Sequence, residues 1–147
     1  MNADGTHKEL VYEIERLLRD VSKEMRRKGR EILVDFSITP PQFEALLLLQ
    51  EHGDLTIGEL SQKMYLAYST TTDLVDRMER NELVERVRDQ NDRRVVRLHM
   101  CEKGKELIEK VLFTRRDYIM KALSSVDKET LTLLKVSLQS LHDMIMK

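Results

Sequence analysis

Apolar residues at the start of the chain recur in steps of three and four. Ile14, Leu18, Val21, Met25 and Ile32 form one stripe, broken only at Lys28, and predict a helix over residues 7–36. That helix is longer than a small domain needs for its own core. A second helix is expected from Thr39-Pro40-Pro41-Gln42, with Thr39 as N-cap, Pro40 as first helical residue and Gln42 as the reciprocal partner of a capping box. Phe43, Leu46, Leu47 and Leu49 follow, and the helix should stop near His52-Gly53, with Gly53 in the left-handed conformation. Thr56-Ile57-Gly58-Glu59 repeats the capping spacing and opens a short helix with Leu60 and Met64 inward. The chain then turns at Tyr65-Leu66-Ala67. A helix over 68–80 carries Leu74, Val75 and Met78 on one face, and Asn81 is its expected left-handed terminator.

The period then changes from helical to alternating. Residues 83–88 and 95–100 read as strands, with Val96, Leu98 and Met100 alternating against Val95, Arg97 and His99. Asp89-Gln90-Asn91-Asp92 between them is turn chemistry, so the pair is a β-hairpin with a charged tip. Two helices follow. One covers residues 102–123, with Leu107, Ile108, Val111, Leu112, Tyr118 and Ile119 on its apolar side. Ser124-Ser125 offers an N-cap for the last, whose stripe is Leu131, Leu134, Leu138, Leu141 and Ile145. The fold class is therefore mainly α with a small β-hairpin: helix, helix, helix-turn-helix, hairpin, helix, helix.

Composition narrows the class further. At 147 residues the chain has the length of one domain, and 41% hydrophobic with 35% charged residues is ordinary for a folded protein. Trp is absent, so Leu, Ile, Val and eight Met must fill the core. No apolar run approaches the roughly 20 residues of a membrane span, and no membrane partner is expected. Met1-Asn2-Ala3-Asp4-Gly5 lacks a secretory pattern and Cys101 is the single cysteine, so a cytoplasmic location is expected.

Net charge is −1, which does not announce a nucleic-acid partner; the local distribution does. From Arg86 to Arg97 the hairpin carries Arg86, Arg88, Arg93, Arg94 and Arg97 against only Asp89 and Asp92. Just before it, Tyr68-Ser69-Thr70-Thr71-Thr72 places hydroxyls at the start of a helix. A helix with short polar side chains at its N-terminal end fits the major groove, which is about 12 Å wide, and its N-terminal amides favour a phosphate. An arginine-rich β-ribbon beside it suits phosphates and a narrow minor groove. Each feature alone is more often a solvated surface. Adjacent and in this order, they favour binding to double-stranded DNA.

The stretches "ITPPQFEALLLLQEHGDLTIGELSQKM" and "STTTDLVDRMERNELVERVRDQNDRRVVRLHMCEKGKEL" carry a resemblance to a known family. They resemble the helix-turn-helix, wing and following helix of the multiple-antibiotic-resistance regulator (MarR) family. The most specific part is "DRRVVRLHMCEKG", matching Asp-x-Arg, a hydrophobic strand and then Leu-Thr-x-x-Gly. The resemblance implies one domain over 1–147. Residues 39–100 would form a winged helix-turn-helix lobe, and 7–36 and 102–147 the dimerisation helices of a homodimer on a pseudo-palindromic operator. By position, Ser69, Thr70 and Thr72 face the major groove, Arg77 pairs with Asp92 to brace the wing, Arg94 enters the minor groove and Arg93 meets phosphate. The resemblance also implies a transcription repressor released by a small-molecule effector; Tyr12, Met25, Phe36, Phe43 and Tyr65 are candidates to line its crevice, although each reads more readily as core.

The sequence departs from the family pattern at several positions. Tyr65 stands where the turn often has Gly, and Ala67 where Ser or Thr often caps the recognition helix. Glu82 replaces a Gly, which leaves Asn81 to take the left-handed turn. Cys101 replaces a capping Thr. Family members that sense oxidants do so with a cysteine near the chain start, where this chain has none, so Cys101 reads as structural. With His99 it supplies two soft ligands, too few for a closed zinc site unless a remote His7, His52 or His142 were recruited, and no metal or cofactor is expected. An enzyme is disfavoured, because no Gly-rich phosphate loop, ligand set or nucleophile–base pair appears. A winged-helix interaction module and a ligand-independent DNA binder remain open alternatives.

Overall fold

A computed structural model describes residues 3–147, with side chains from Gly5 onward. Met1 and Asn2 lie outside the described residues. The chain divides into two compact units, one ending at Phe113 and the other Thr114–Lys147.

The first unit contains α1 (Ala3–Asp35), α2 (Pro40–His52), β1 (Leu55–Thr56), α3 (Ile57–Met64), α4 (Tyr68–Arg80), β2 (Val84–Arg88), β3 (Val96–Met100) and the first half of α5 (Glu102–Ala122). The strands form one antiparallel sheet in the order β1-β3-β2, with Leu55 opposite Leu98 and Val84 opposite Met100. β1 escaped the sequence reading because two residues are too few to show an alternation, and Thr56 serves at once as strand end and helix cap. Leu46, Leu60, Val75, Met78, Leu98 and Ile108 are buried side by side and join the helices to the sheet. α1 shares this core only at its end, through Ile32 and Leu33; Ile14, Leu18 and Val21 are exposed.

Local signals set most of the boundaries. The α2 capping box is present: Gln42 N–H donates to Thr39 Oγ1 at 3.3 Å, and Thr39 N–H donates to Gln42 Oε1 at 3.1 Å. The α3 cap is half of one, with Glu59 N–H donating to Thr56 Oγ1 at 3.1 Å. Gly53 has the expected positive φ of 77°, but its ψ of −159° lies outside the left-handed helical well, in a region that only glycine enters readily.

Three helices end in the same hydrogen-bonded motif. After α1, Ile38 N–H reaches Leu33 O at 3.1 Å and Ser37 N–H reaches Val34 O at 3.0 Å. After α3, Leu66 N–H reaches Ser61 O at 3.0 Å. After α4, Leu83 N–H reaches Met78 O and Glu82 N–H reaches Glu79 O, each at 3.0 Å. This is the Schellman arrangement, which needs a left-handed residue just past the cap. Those residues are Ser37, Tyr65 and Glu82, with φ of 56°, 55° and 61°, and none is glycine. The expectation for Asn81 is thereby corrected. Its φ is −87°, and the motif assigns the left-handed turn to Glu82 because Leu83 must pack back on Met78.

The second unit holds the end of α5 and α6 (Lys128–Ile145), which contains no buried residue. Its cap is Asp127, whose Oδ1 accepts from Thr130 N–H at 2.8 Å, rather than Ser124-Ser125. Those serines belong to a turn closed by Val126 N–H to Leu123 O at 3.1 Å, which moves the helix start onward. Among the described residues no single helix is long and apolar enough to cross a membrane.

Gly104 closes the first unit where α5 crosses the end of β2. A Cβ there would lie 2.6 Å from Leu83 O, 2.9 Å from Met100 Cγ and 3.2 Å from Leu46 Cδ2. Leu83 O cannot retreat freely, because it accepts from Cys101 N–H at 2.9 Å. Gly104→Ala should therefore cost roughly 1–3 kcal/mol of stability, the usual scale of overpacking, read from the denaturant midpoint. An unchanged midpoint would show that the start of α5 shifts at no cost.

Candidate nucleic-acid interface

The α4 helix begins at Tyr68, as its sequence predicts, without a side-chain cap: Ala67 is extended and offers no acceptor. The first intrahelical bond is Thr71 N–H to Ala67 O at 3.0 Å. The amides of Tyr68, Ser69 and Thr70 have no helical acceptor and face outward at the positive end of the helix dipole. Ser69 and Thr70 are exposed, and their hydroxyls bond to no described residue, so both remain available. Tyr68 is also exposed. Thr72 is half-buried and donates to Tyr68 O at 3.0 Å, keeping its lone pairs for a further donor.

Thr71 departs from the expectation. It is fully buried, and its hydroxyl donates to Ala67 O at 3.0 Å. The same helical face that carries Val75 and Met78 into the core takes Thr71 with it, which removes it from the DNA-facing set.

The wing tip is built around two aspartates. Asp89 accepts from the N–H of Asn91 at 2.8 Å and of Asp92 at 3.1 Å, and from Arg97 Nε at 3.1 Å. Asp92 accepts from Arg94 twice through its side chain, at 3.0 and 3.1 Å, and from Arg94 N–H at 3.1 Å. Arg94 is nonetheless 90% exposed, at the tip. Arg88 donates to Arg93 O at 2.9 Å, and the Arg93 side chain is exposed.

The expected Arg77–Asp92 brace is absent. Asp92 is occupied by Arg94, two residues along its own turn, and Arg77 is exposed with no ion pair to a described residue. Helix and wing are joined with the charges exchanged: α4 supplies the acids and the wing the arginine. Arg86 Nη2 lies 2.7 Å from Asp76 Oδ1 and Arg86 Nη1 lies 2.9 Å from Glu79 Oε1, while Arg86 N–H donates to Glu79 Oε2 at 3.1 Å. The Asp76 bond, then Glu79, hold the guanidinium charged against the opposing effect of burial. Arg86, expected to meet DNA, is thus a brace. Arg97 is a second, bonded to Asp89 and 3.7 Å from Glu59 on α3. The cations left facing outward are Arg77, Arg88, Arg93 and Arg94.

Comparison with known proteins agrees with this arrangement. The MarR family profile matches residues 38–96, from the entry of α2 to the start of β3. The uncharacterised helix-turn-helix transcriptional regulator YsmB of Bacillus subtilis strain 168 is 51% identical over 137 residues, covering 92% of this chain and 94% of that protein. The chain belongs to the MarR family. A solved MarR family protein from Bacillus stearothermophilus is 49% identical, with a TM-score of 0.84 over 100% of this chain and 99% of that one. The organic hydroperoxide resistance transcriptional regulator of B. subtilis is 37% identical over 106 residues, covering 72% of each chain.

Two further features of this MarR-family chain are its candidate crevice residues and its single cysteine. The five candidate crevice residues are not brought together. Phe43 is core, Met25 is half-buried, Tyr12 and Tyr65 are 63% and 94% exposed, and Phe36 lines a cavity of about 310 Å³ with Leu83, Leu107 and Lys103. The second feature is Cys101, half-buried, whose thiol pKa is pushed up by burial and then by Glu85, Glu82 and Glu79. Among the described residues no group of three His, Cys, Asp or Glu could hold a metal; His99 instead bonds Asp54 at 2.9 Å.

Thiolate is the reactive form of cysteine, so Cys101 should label more slowly than free cysteine at neutral pH, and peroxide should not release the protein from DNA through this thiol. Fast labelling at pH 7 would contradict the assigned environment. The wing carboxylates titrate the other way. Asp89 is held below the ordinary carboxylate range by the Asn91 amide, then by Arg97 and the Asp92 amide; Asp92 is held there by Arg94. Depressed folded-state values mean that this stabilisation is present above the ordinary aspartate pKa and is lost as pH falls through the lower folded value. NMR titration should show both carboxyls ionised, and the wing unchanged, from neutral pH down through the ordinary aspartate range. Titration of either at or above that range would refute the turn geometry.

Proposed function

We propose that this MarR-family chain is a non-catalytic, cytoplasmic transcription repressor that binds a pseudo-palindromic operator as a homodimer and is released by a small-molecule effector. The observation that carries the DNA reading is the pairing of free hydroxyls and uncapped amides at the start of α4 with an exposed arginine at the wing tip. Such a helix start reads base edges and phosphates in the major groove. Arg94 exchanges Asp92 for the focused negative potential of a minor groove, where a planar, permanently charged cation fits.

The homodimer reading rests on exposed apolar residues at helical spacing. Leu10, Ile14, Leu17 and Val21 on α1, and Leu134, Leu138 and Ile145 on α6, lie between 42% and 65% exposed. A second copy would cover these stripes, and a two-fold pair sets two recognition helices about one DNA turn, roughly 34 Å, apart. Release by an effector is what the family resemblance implies.

Sedimentation at micromolar concentration should give twice the 17.3 kDa chain mass. Arg94→Ala should weaken duplex binding by roughly 1–3 kcal/mol and flatten log affinity against log salt by about one unit per chain. Its circular dichroism should match wild type, because a side chain at the exposed tip packs on nothing. Thr70→Ala should change sequence preference more than salt slope. A strict monomer would remove the palindrome argument, and wild-type affinity and slope for Arg94→Ala would remove the wing from the interface.

A further inference from the structure

Tyr65 is out of place by every rule that governs the fold. The motif that ends α3 fixes this residue in the left-handed region at φ 55° and ψ 40°, with Tyr65 N–H on Gln62 O at 3.3 Å and Leu66 N–H on Ser61 O at 3.0 Å. Glycine takes that conformation freely, whereas a residue with a Cβ is strained there. The usual compensation would be packing, and there is none, since the residue is 94% exposed. The other two left-handed positions carry small or charged side chains that water solvates, Ser37 and Glu82. Tyr65 alone combines backbone strain with an aromatic ring held in solvent. The fold needs the left-handed backbone to end α3 but gains nothing from an aromatic ring there, and a strained residue whose side chain the fold does not use points to a contact outside the chain.

The surroundings identify the partner. Tyr65 sits in the turn between α3 and α4, three residues before Tyr68 and four before Ser69. In a docked helix-turn-helix the first helix crosses the nucleic-acid backbone while the second enters the major groove, so the turn between them lies over a sugar–phosphate strand. From Leu60 to Thr72 the chain has no Asp or Glu, and Lys63 is its one charged residue. With the uncapped amides of α4, this makes the turn electropositive. A tyrosine there offers one phenolic donor for a phosphate oxygen and a flat apolar face for the adjoining deoxyribose.

We propose that Tyr65 is a DNA-contact residue that binds a backbone phosphate through its hydroxyl and the neighbouring sugar through its ring, once per half-site. The inference rests on the DNA-binding reading above. It further specifies that the contact is independent of sequence and adds no charge.

The test uses the full chain as wild type, Tyr65→Gly, Tyr65→Phe and Arg94→Ala. Two labelled duplexes of equal length serve as probes, one selected by the wild-type protein from a random pool and one unrelated. Tyr65→Gly should melt at or above the wild-type temperature and keep the wild-type mass, because it relieves strain and removes no packing. It should bind both duplexes about ten-fold more weakly, the scale of a lost hydrogen bond to a charged group. Tyr65→Phe, which keeps the ring, should lose about three-fold. Neither variant should change the salt slope, which Arg94→Ala flattens. Tyr65→Gly binding both duplexes as tightly as wild type would overturn the inference alone. A change in its sedimenting mass would reassign Tyr65 to a subunit contact and overturn it as well. Failure of the wild type to bind either duplex would overturn the inference together with the reading beneath it.

Discussion

Arg86 ties the wing to the recognition helix beyond the turn and the core that the two already share. It leaves β2, the first strand of the wing, and divides its guanidinium between Asp76 and Glu79 of α4 while its amide also reaches Glu79. A two-stranded ribbon is marginal by itself in water, and this one takes support from both sides. Arg86 fastens it to the recognition helix, and Arg97 fastens its other strand to Glu59 of α3 and to Asp89 at the tip. Without Arg86, Asp76 and Glu79 would be neighbouring carboxylates with no cation between them, facing the strand they now hold. That fork adds a charged clamp to the packing that holds α4 and the wing in one arrangement.

The charge of the wing accordingly differs from its arginine count. Two of its five arginines are spent on α3, α4 and the turn, and a third, Arg94, is parked on Asp92 beside the position from which it would enter a groove. The parked state is an exposed pair, of the kind that contributes little to stability. On the proposed reading, it pre-sets the direction of a long side chain at small cost, so that binding would exchange one anion for another.

Much of this was legible in the chain, and the misses share a cause. Periodicity located every helix, and a capping box with a proline behind it fixed the start of α2, because these are local signals with local physics. The β1 strand is two residues long and has no period of its own. Asn81 looked like the left-handed residue because its side chain tolerates that conformation. The motif instead needed Leu83 to fold back on Met78, and that tertiary demand put Glu82 there. Thr71 belongs to a run of hydroxyls whose members are equivalent in sequence and are separated only by the face that α4 turns to the core. The Arg77–Asp92 pairing failed because charges on one surface have several partners within reach, and the nearest, Arg94, is set by a two-residue turn. Sequence shows which charges are present; the choice among partners is made by distance.

The two classes of apolar surface in the molecule bear on how such a protein can be switched. Every buried apolar residue described lies between Ile32 and Val111, so the core that holds α4 and the wing in one arrangement takes in only the end of α1 and the first half of α5 besides the lobe itself. The stripes of α1 and α6 have no such closure within the chain. A solitary helix is marginal in water, and an exposed apolar face adds a penalty that only association removes. On the proposed reading, the helices that set the distance between two lobes gain their stability from assembly, and the lobes do not. A ligand acting on that distance need not disturb a single hydrogen bond of the reading surface. It has only to bind one helix packing better than another, and the shift it achieves is bounded by that difference in affinity.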